Sequence, residues 1–318
     1  MTPTPPVPAV SVLMPVFNGE RFLREAIDSV LAQSFDDFEL VVVDDGSLDG
    51  TAAIAQGYAA RDGRVRYLRK ANSGIGETLN RGLEVARAPL VARLDADDVM
   101  EPARLARQVH FLAARPELGG AASNFAVIDA AGRIRQRVAP LPGGVAEIEP
   151  FLARGGRLRY THPTVIYRRD PVMAVGGYRR ELEPAEDVDL FLRLYEAGHP
   201  MIVQPECLTR YRVHSGQISA TRLFDAFHKV EFIHENFFRR RFGVEEIDYD
   251  RFLQLLRELP LRARLEIRTD FAAERLHRRS TSLLIDGRTV SAYACLAGAA
   301  CLRPVRAFKR VLRQGRLM

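Results

Sequence analysis

Through the first hundred residues, short apolar runs alternate with stretches whose apolar positions recur every three or four residues. Residues 10–16 read as a buried strand ending near Pro15. Residues 20–33 follow as a helix, because Phe22, Ala26 and Val30, with Leu23, Ile27 and Leu31, form two i, i+4 rows on one face. Residues 38–43 are almost continuously apolar, as in a parallel strand covered on both faces, and stop at Asp44-Asp45-Gly46-Ser47. Asp49 can cap a helix running to about residue 58. The unit repeats with a strand at 65–68, a helix at 74–86 and a strand at 90–94. This alternation predicts an α/β fold built on a parallel sheet, whose ligands gather at the carboxyl ends of the strands.

Further along, Pro102 opens a helix to about residue 114, and 121–129 with 134–138 form a hairpin. The segment 162–168 reads as a strand, 187–197 as a helix burying Val188, Phe191, Leu194 and Tyr195, and 207–213 as a strand leading into His214. From residue 221 the pattern is helical, with breaks near Gly243, Pro260, Gly287 and Pro304.

Composition adds little to the fold and more to the partners. Of 318 residues 47% are hydrophobic and 27% charged, which excludes a wholly disordered chain. Cys207, Cys295 and Cys301 lack the spacing of a disulfide scaffold or zinc module. The net charge of +6 is unevenly spread: residues 1–221 hold 26 basic and 28 acidic side chains, residues 222–318 hold 20 and 12. In 303–316, basic residues alternate with Val305, Phe308, Val311 and Leu312. This pattern suits a cationic amphipathic helix on an anionic membrane or the solvated face of a packed helix. Nucleic acid is disfavoured, since no array of stacking aromatics accompanies the arginines. Residues 1–8 are expected to be a disordered proline-rich tail without a signal peptide, and 291–302 is too short to span a bilayer. The expected location is the cytoplasm, with peripheral contact at the inner face of the cell membrane.

The candidate chemistry lies in the acidic strand ends. Asp95-Ala96-Asp97 sets two carboxylates together after a buried strand, and their repulsion calls for a cation, an arginine or a proton. A divalent ion shared with a diphosphate and an ion pair with Arg93 both answer that need. Asn72-Ser73-Gly74-Ile75-Gly76 is no dinucleotide fingerprint, because it does not follow the first strand.

Four runs, SVLMPVFNGERFLREAIDSVLAQSF, ELVVVDDGSLDGT, KANSGIGETLNRGLEVAR and ARLDADD, in this order and spacing, resemble the family 2 glycosyltransferases over roughly residues 9–215. The resemblance implies a GT-A fold, a mostly parallel Rossmann-like sheet flanked by helices. It divides the chain into a catalytic domain at 9–220, with a nucleotide-sugar half at 9–100 and an acceptor half at 101–220, and a basic helical region at 221–318. It further implies that Pro15, Val16, Phe17, Asn18 and Glu20 line the nucleoside pocket with Asn72 and Gly74. Asp45 would recognise the nucleobase, Asp95 with Ala96 the ribose or sugar, and Asp97 would bind Mn²⁺ or Mg²⁺.

In the same likeness, Asp187 of Glu186-Asp187 is the base of an inverting transfer and Glu186 orients the acceptor or the base. The Arg-x-His segment makes His214 a metal ligand or diphosphate contact beside Arg212. His162 and Tyr178 fall on the acceptor side. The expected reaction moves a sugar from a nucleoside diphosphate, with uridine the favoured nucleoside, to a hydroxyl of a glycan or lipid-linked glycan. A sugar-1-phosphate nucleotidylyltransferase is the rival enzyme, but Pro15-Val16-Phe17-Asn18-Gly19 stands where it would carry a glycine- and arginine-rich loop. A catalytically silent glycan- or membrane-binding scaffold is the non-enzymatic rival.

Overall fold

Every residue of β1 (Val10–Val16) and β2 (Phe38–Asp44) is buried, as expected of strands with helices on both faces. In the computed structural model, which describes residues 6–138, 143–154, 156–214, 222–285 and 289–302, these strands centre a nine-stranded sheet. The first unit alternates β1, α1 (Leu23–Leu31), β2, α2 (Thr51–Ala59), β3 (Val65–Arg69), α3 (Ile75–Val85) and β4 (Leu90–Arg93). Then come β5 (Val99–Met100), α4 (Arg104–Ala113), β6 (Gly120–Ile128), β7 (Ile134–Val138), α5 (Ile148–Ala153), β8 (Ile166–Arg168), α6 (Arg169–Ala174), α7 (Glu186–Glu196) and β9 (Met201–Arg212).

The strand order is β3-β2-β1-β4-β8-β6-β9-β5, with β7 paired to β6. The first four strands are mutually parallel, and β9 is parallel to β6. β8, β5 and β7 run antiparallel to their neighbours, so the sheet is mixed beyond β4. The expected hairpin at β6 and β7 is present. The expected strand at 162–168 is instead a 3₁₀ turn, His162–Thr164, followed by the three residues of β8. Pro163 accounts for the change, since it has no amide hydrogen for a sheet ladder and suits the first turn of a helix.

At the end of the sheet remote from the acidic turns, Glu39 is buried and ties neighbouring strands together. It accepts from Ser11 Oγ at 2.7 Å, the Arg87 amide at 2.8 Å, Arg87 Nε at 2.7 Å and Arg66 Nη1 at 2.9 Å. Burial pushes its carboxyl up, but these donors together hold it below the usual range.

The chain divides after Arg212, eight residues earlier than the sequence suggested. One unit comprises 1–128 with 132–212, the other 129–131 with 213–318. The second unit carries α8 (Leu223–Arg241), α9 (Tyr249–Glu258), α10 (Leu261–Ile285) and α11 (Thr289–Leu302), bounded near the anticipated breaks. Asp248 caps α9 by accepting from the Arg251 amide at 2.7 Å, and Phe232 packs against Tyr249 and Phe252. No helix among the described residues is long and apolar enough to cross a membrane. The basic segment 303–316 and residues 1–5 of the proline-rich tail lie outside the described residues, whereas Pro8 is buried beside the start of β1.

Gly120 sits where β6 passes closest to β8. A Cβ there would lie 2.6 Å from the Ile166 carbonyl oxygen and 2.9 Å from Tyr167 Cβ. Because the obstruction includes backbone, Gly120→Ala is expected to destabilise the first unit by about 1–3 kcal/mol, measured as a lower urea midpoint with unchanged slope.

Candidate active site

The carboxyl ends of β1, β2 and β4 lie side by side, so the turns following them form one surface. Val16 is buried, Phe17 is half-exposed at its edge, and Asn18 adopts φ 51°, a conformation asparagine tolerates better than most residues. The turn after β1 is laced to the turn after β2. Asn18 N donates to Ser47 Oγ at 2.9 Å, Leu48 N to Asn18 Oδ1 at 2.8 Å, and Gly19 N to Thr51 Oγ1 at 2.8 Å. Glu20, expected in the nucleoside pocket, accepts from the Gly50 amide at 2.6 Å, so its carboxylate is a strap between turns. Ala96 lies against the same turn, close to Gly19.

Asp44 and Asp45, adjacent in sequence, do different work. Asp44 is buried and accepts from Ser47 N at 2.8 Å and Tyr67 Oη at 2.7 Å, which closes its own turn. Asp45 reaches the loop after β3: Oδ1 accepts from Ser73 N at 2.9 Å and pairs with Lys70 Nζ, and Oδ2 accepts from Gly74 N at 3.0 Å. Asn72 Nδ2 donates to the Asp45 carbonyl at 3.0 Å. Gly46 has φ 79°, and a Cβ there would stand 2.9 Å from Asn72 N, so the two loops meet only because it is glycine. The structure therefore brings Asp45, Asn72 and Gly74 together.

Past β4, one ligand oxygen from each of Asp95, Asp97 and Asp98 lies within 4.8 Å of the others. The rival explanation for Asp95 is present as well, since Arg93 Nη2 contacts Asp95 Oδ1 at 2.7 Å. Arg93 is 1% exposed, and its Nε and Nη1 are buried without hydrogen-bond partners. Asp98, absent from the sequence-based site, is wholly buried; its Oδ1 accepts from Arg212 N at 2.7 Å and its Oδ2 has no hydrogen-bond partner. Burial, then the charges of Asp97 and Asp95, push the Asp98 carboxyl well above the carboxylate range. A set of hard oxygens with one buried oxygen lacking a donor fits a divalent cation better than Arg93 alone, because the arginine makes an ion pair with Asp95 but leaves Asp98 Oδ2 without a donor.

Glu186 and Asp187 begin α7, with Glu186 buried and Asp187 half-buried. Burial, then the neighbouring Asp187 charge, raises Glu186 to about 8. Burial raises Asp187 to about 6, partly countered by its hydrogen bond from Val188 N and by the charges of Arg159 and Arg93. Asp189, third of the acids opening this helix, pairs with Arg193, whose guanidinium also donates to the Val175 and Gly177 carbonyls. That contact orients the turn before Tyr178. Tyr178 Oη lies 2.8 Å from His162 Nε2 and 3.2 Å from Tyr167 Oη, all three rings being buried. Burial and the Arg93 charge hold His162 well below the usual histidine range, so it is neutral. His162 and Tyr178 thus meet each other inside the protein and do not line an open acceptor surface.

Arg212 also departs from expectation. It is buried, donates through Nε to the Asp97 carbonyl at 2.7 Å and through Nη2 to Glu25 at 2.6 Å, and covers the Phe22 ring. It is a strut behind the Asp-x-Asp turn, where a nucleotide-sugar contact beside His214 was anticipated. His214 follows it by two residues and belongs to the second unit. The residues missed by sequence reasoning are Asp98, Lys70, Asn80 and Glu183, and Arg93 was weighed only as a rival to metal. The third acid of Asp95-Ala96-Asp97-Asp98 and the isolated Lys70 in an arginine-rich chain were available signals. Glu183 and Asn80 left none, because their partners are remote in sequence.

Comparison with known proteins places these turns in a wider group. The profile of glycosyl transferase family 2 matches residues 11–176. The chain is 36% identical over 198 residues to the putative glycosyltransferase EpsE of Bacillus subtilis, covering 60% of this chain and 68% of that protein. It is 31% identical over 217 residues to the amylovoran biosynthesis glycosyltransferase AmsE of Erwinia amylovora, covering 67% and 79%. Among solved structures it resembles S. aureus TarS 1–349 in complex with UDP, with TM-score 0.56, 19% identity and 96% and 91% of the two chains covered. It also resembles the mannosyltransferase PcManGT of Pyrobaculum calidifontis in complex with GDP-Man and Mn²⁺, with TM-score 0.54, 19% identity and 98% and 81% covered. The fold is accordingly of GT-A type, and the nucleotidylyltransferase and silent-scaffold readings are set aside. With its four motifs on adjoining strand ends and the family profile spanning more than half its length, this chain belongs to the family 2 glycosyltransferases.

Proposed function

We propose that the protein transfers a sugar, with inversion, from a nucleoside diphosphate donor to a hydroxyl of a glycan or lipid-linked glycan. Uridine is the favoured nucleoside, and Asp187 is the general base. The observation that carries this reading is the pairing of two acid sets in one unit: Asp95, Asp97 and Asp98 grouped at the strand ends, and Asp187 poised to titrate near neutrality. The relatives are named glycosyltransferases, and the structural neighbours bound to UDP and GDP-Man support a nucleotide-sugar donor.

Mn²⁺ or Mg²⁺ held by Asp97 with Asp95 and Asp98 would act as a Lewis acid for the charge developing on the departing diphosphate. Asp45 Oδ2, which accepts from one amide, has a second acceptor position suited to the imide N–H of uracil. The turn carrying Phe17 and Asn18 bounds the nucleoside, and Asp95 is oriented for a ribose or sugar hydroxyl by its pair with Arg93. Asp187 takes the acceptor hydroxyl proton as that oxygen bonds to the anomeric carbon, and the bond from this carbon to the diphosphate oxygen breaks. One displacement of this kind inverts the centre and needs no enzyme nucleophile. Glu186 holds its proton at neutral pH, so of the adjacent acids Asp187 is the one available to accept a proton. Membrane contact by 303–316 and the cytoplasmic face as the place of action are the proposals that accompany a lipid-linked acceptor.

Asp187→Asn is expected to lower kcat by about 10²–10⁴-fold while leaving the calorimetric Kd for the nucleoside diphosphate unchanged. Undiminished turnover in this variant would remove Asp187 as the base. Because Asp187 must be ionised, kcat/KM should fall about tenfold per pH unit below pH 6, the position of its raised pKa. Chelation should abolish nucleoside diphosphate release, Mn²⁺ or Mg²⁺ should restore it, and Asp97→Ala should not be rescued by either ion. A stability measurement isolates Glu186. Between the ordinary carboxyl range near 4.5 and about 8, the folded state holds a proton that the unfolded chain has lost, so wild-type stability declines as pH rises through that window. Glu186→Gln should therefore gain Tm relative to wild type from pH 5 to pH 8.5, and a constant difference would show that burial of Glu186 carries no such cost.

A further inference from the structure

The amide groups at the start of α3 are capped by side chains distant in sequence. Gly74 is the N-cap residue and has no side chain with which to serve the free amides of the first turn. Asp45 accepts from the Ser73 and Gly74 amides, and from the other half of the unit Glu183 Oε1 accepts from Gly76 N at 2.7 Å. The fit is close. A Cβ on Gly74 would lie 2.6 and 2.7 Å from the two Glu183 carboxylate oxygens, and Gly74 has φ 97°. A Cβ on Gly76 would lie 3.1 Å from Glu183 Oε1 and 3.2 Å from Arg180 Cα.

A second fastening lies one turn along α3. Asn80 Oδ1 accepts from Tyr178 N at 2.8 Å, and Asn80 Nδ2 donates to Tyr178 O at 2.8 Å. The segment from Tyr178 to Asp187 is thus held to α3 at both contacts. Between Glu183 and the start of α7 only Pro184 and Ala185 intervene; Ala185 is buried and its amide donates to the Leu182 carbonyl at 2.8 Å. A shift at Glu183 therefore has little chain in which to dissipate before it reaches Glu186 and Asp187.

We propose that Glu183 is a positioning residue, a clasp that fixes the Asp187 segment against the Asn72–Gly74 turn, so that donor-side geometry and base placement are set by one contact. Its catalytic consequence rests on the reading of Asp187 as base; its structural consequence does not. The carboxylate favours the positive end of the α3 dipole, and its acceptor oxygen supplies the contact itself.

The test compares Glu183→Ala, Glu183→Asp and Glu183→Gln in the full chain by amide hydrogen exchange without ligand and by kcat and donor KM. Glu183→Asp keeps the charge but is one methylene too short to reach Gly76; Glu183→Gln loses the charge but retains an acceptor oxygen. Expected for Ala and Asp is exchange about tenfold faster at 73–76 and across 178–188, the equivalent of one charge-assisted hydrogen bond. In those variants donor KM should rise and kcat should fall together. Gln should recover the exchange protection and most of kcat. Wild-type exchange rates across 178–188 in Glu183→Ala would overturn the clasp, as would a Gln variant as impaired as Ala. A local helix cap without positioning would speed exchange at 73–76 alone and leave kcat intact, which also overturns it. If Glu183→Ala does not fold, the Asp and Gln variants make the same comparison. Wild-type protein with no sugar transfer would fault the transfer reading, and the exchange data would still decide the clasp.

Discussion

A guanidinium sealed inside the sheet governs the candidate site. Arg93 closes β4 with one ion pair, to Asp95, and two nitrogens without hydrogen-bond partners. Such burial is costly, and it is tolerable because so much negative charge surrounds it. The charge of Arg93 pulls down the carboxyls of Asp95, Asp98, Glu186 and Asp187 against the upward push of burial, and at His162 it adds to the lowering that burial causes. One cation thus acts on acids from both halves of the first unit, and without it their burial would leave fewer of them ionised.

Most of the acidic groups near the strand ends fasten backbone. Asp44 closes its own turn, Glu20 holds the Gly50 amide, Asp98 holds the Arg212 amide, and Glu183 caps α3. Asp95, Asp97 and Asp187 are partly accessible. Exposure alone does not make the division: Asp44 and Asp98 are buried, whereas Glu20 is exposed and Glu183 half-buried, and backbone amides engage all four.

The arrangement of the sheet was largely legible. Alternating strands and helices through residue 94, the hairpin at 120–138 and the helical region after 221 follow from apolar periodicity and from glycine and proline positions. The strand expected at 162–168 failed because its periodicity outweighed Pro163, and the insertion of antiparallel β8 between β4 and β6 is set by contacts between distant segments. At the site, the motifs led to Asp45, Asn72, Gly74, Asp95, Asp97 and the Glu186-Asp187 pair. They could not show that Glu20 and Arg212 hydrogen-bond to the backbone of neighbouring turns.

The sequence by itself determined the local elements, the family and the identity of the acidic turns, because these depend on residue type at short spacing. Tertiary structure alone decided which acid holds its proton, which carboxylate is consumed by a remote amide, and that His162 and Tyr178 face each other in the interior. Those outcomes depend on burial and on the approach of residues such as Gly76 and Glu183, 107 positions apart, where no local pattern records the partner.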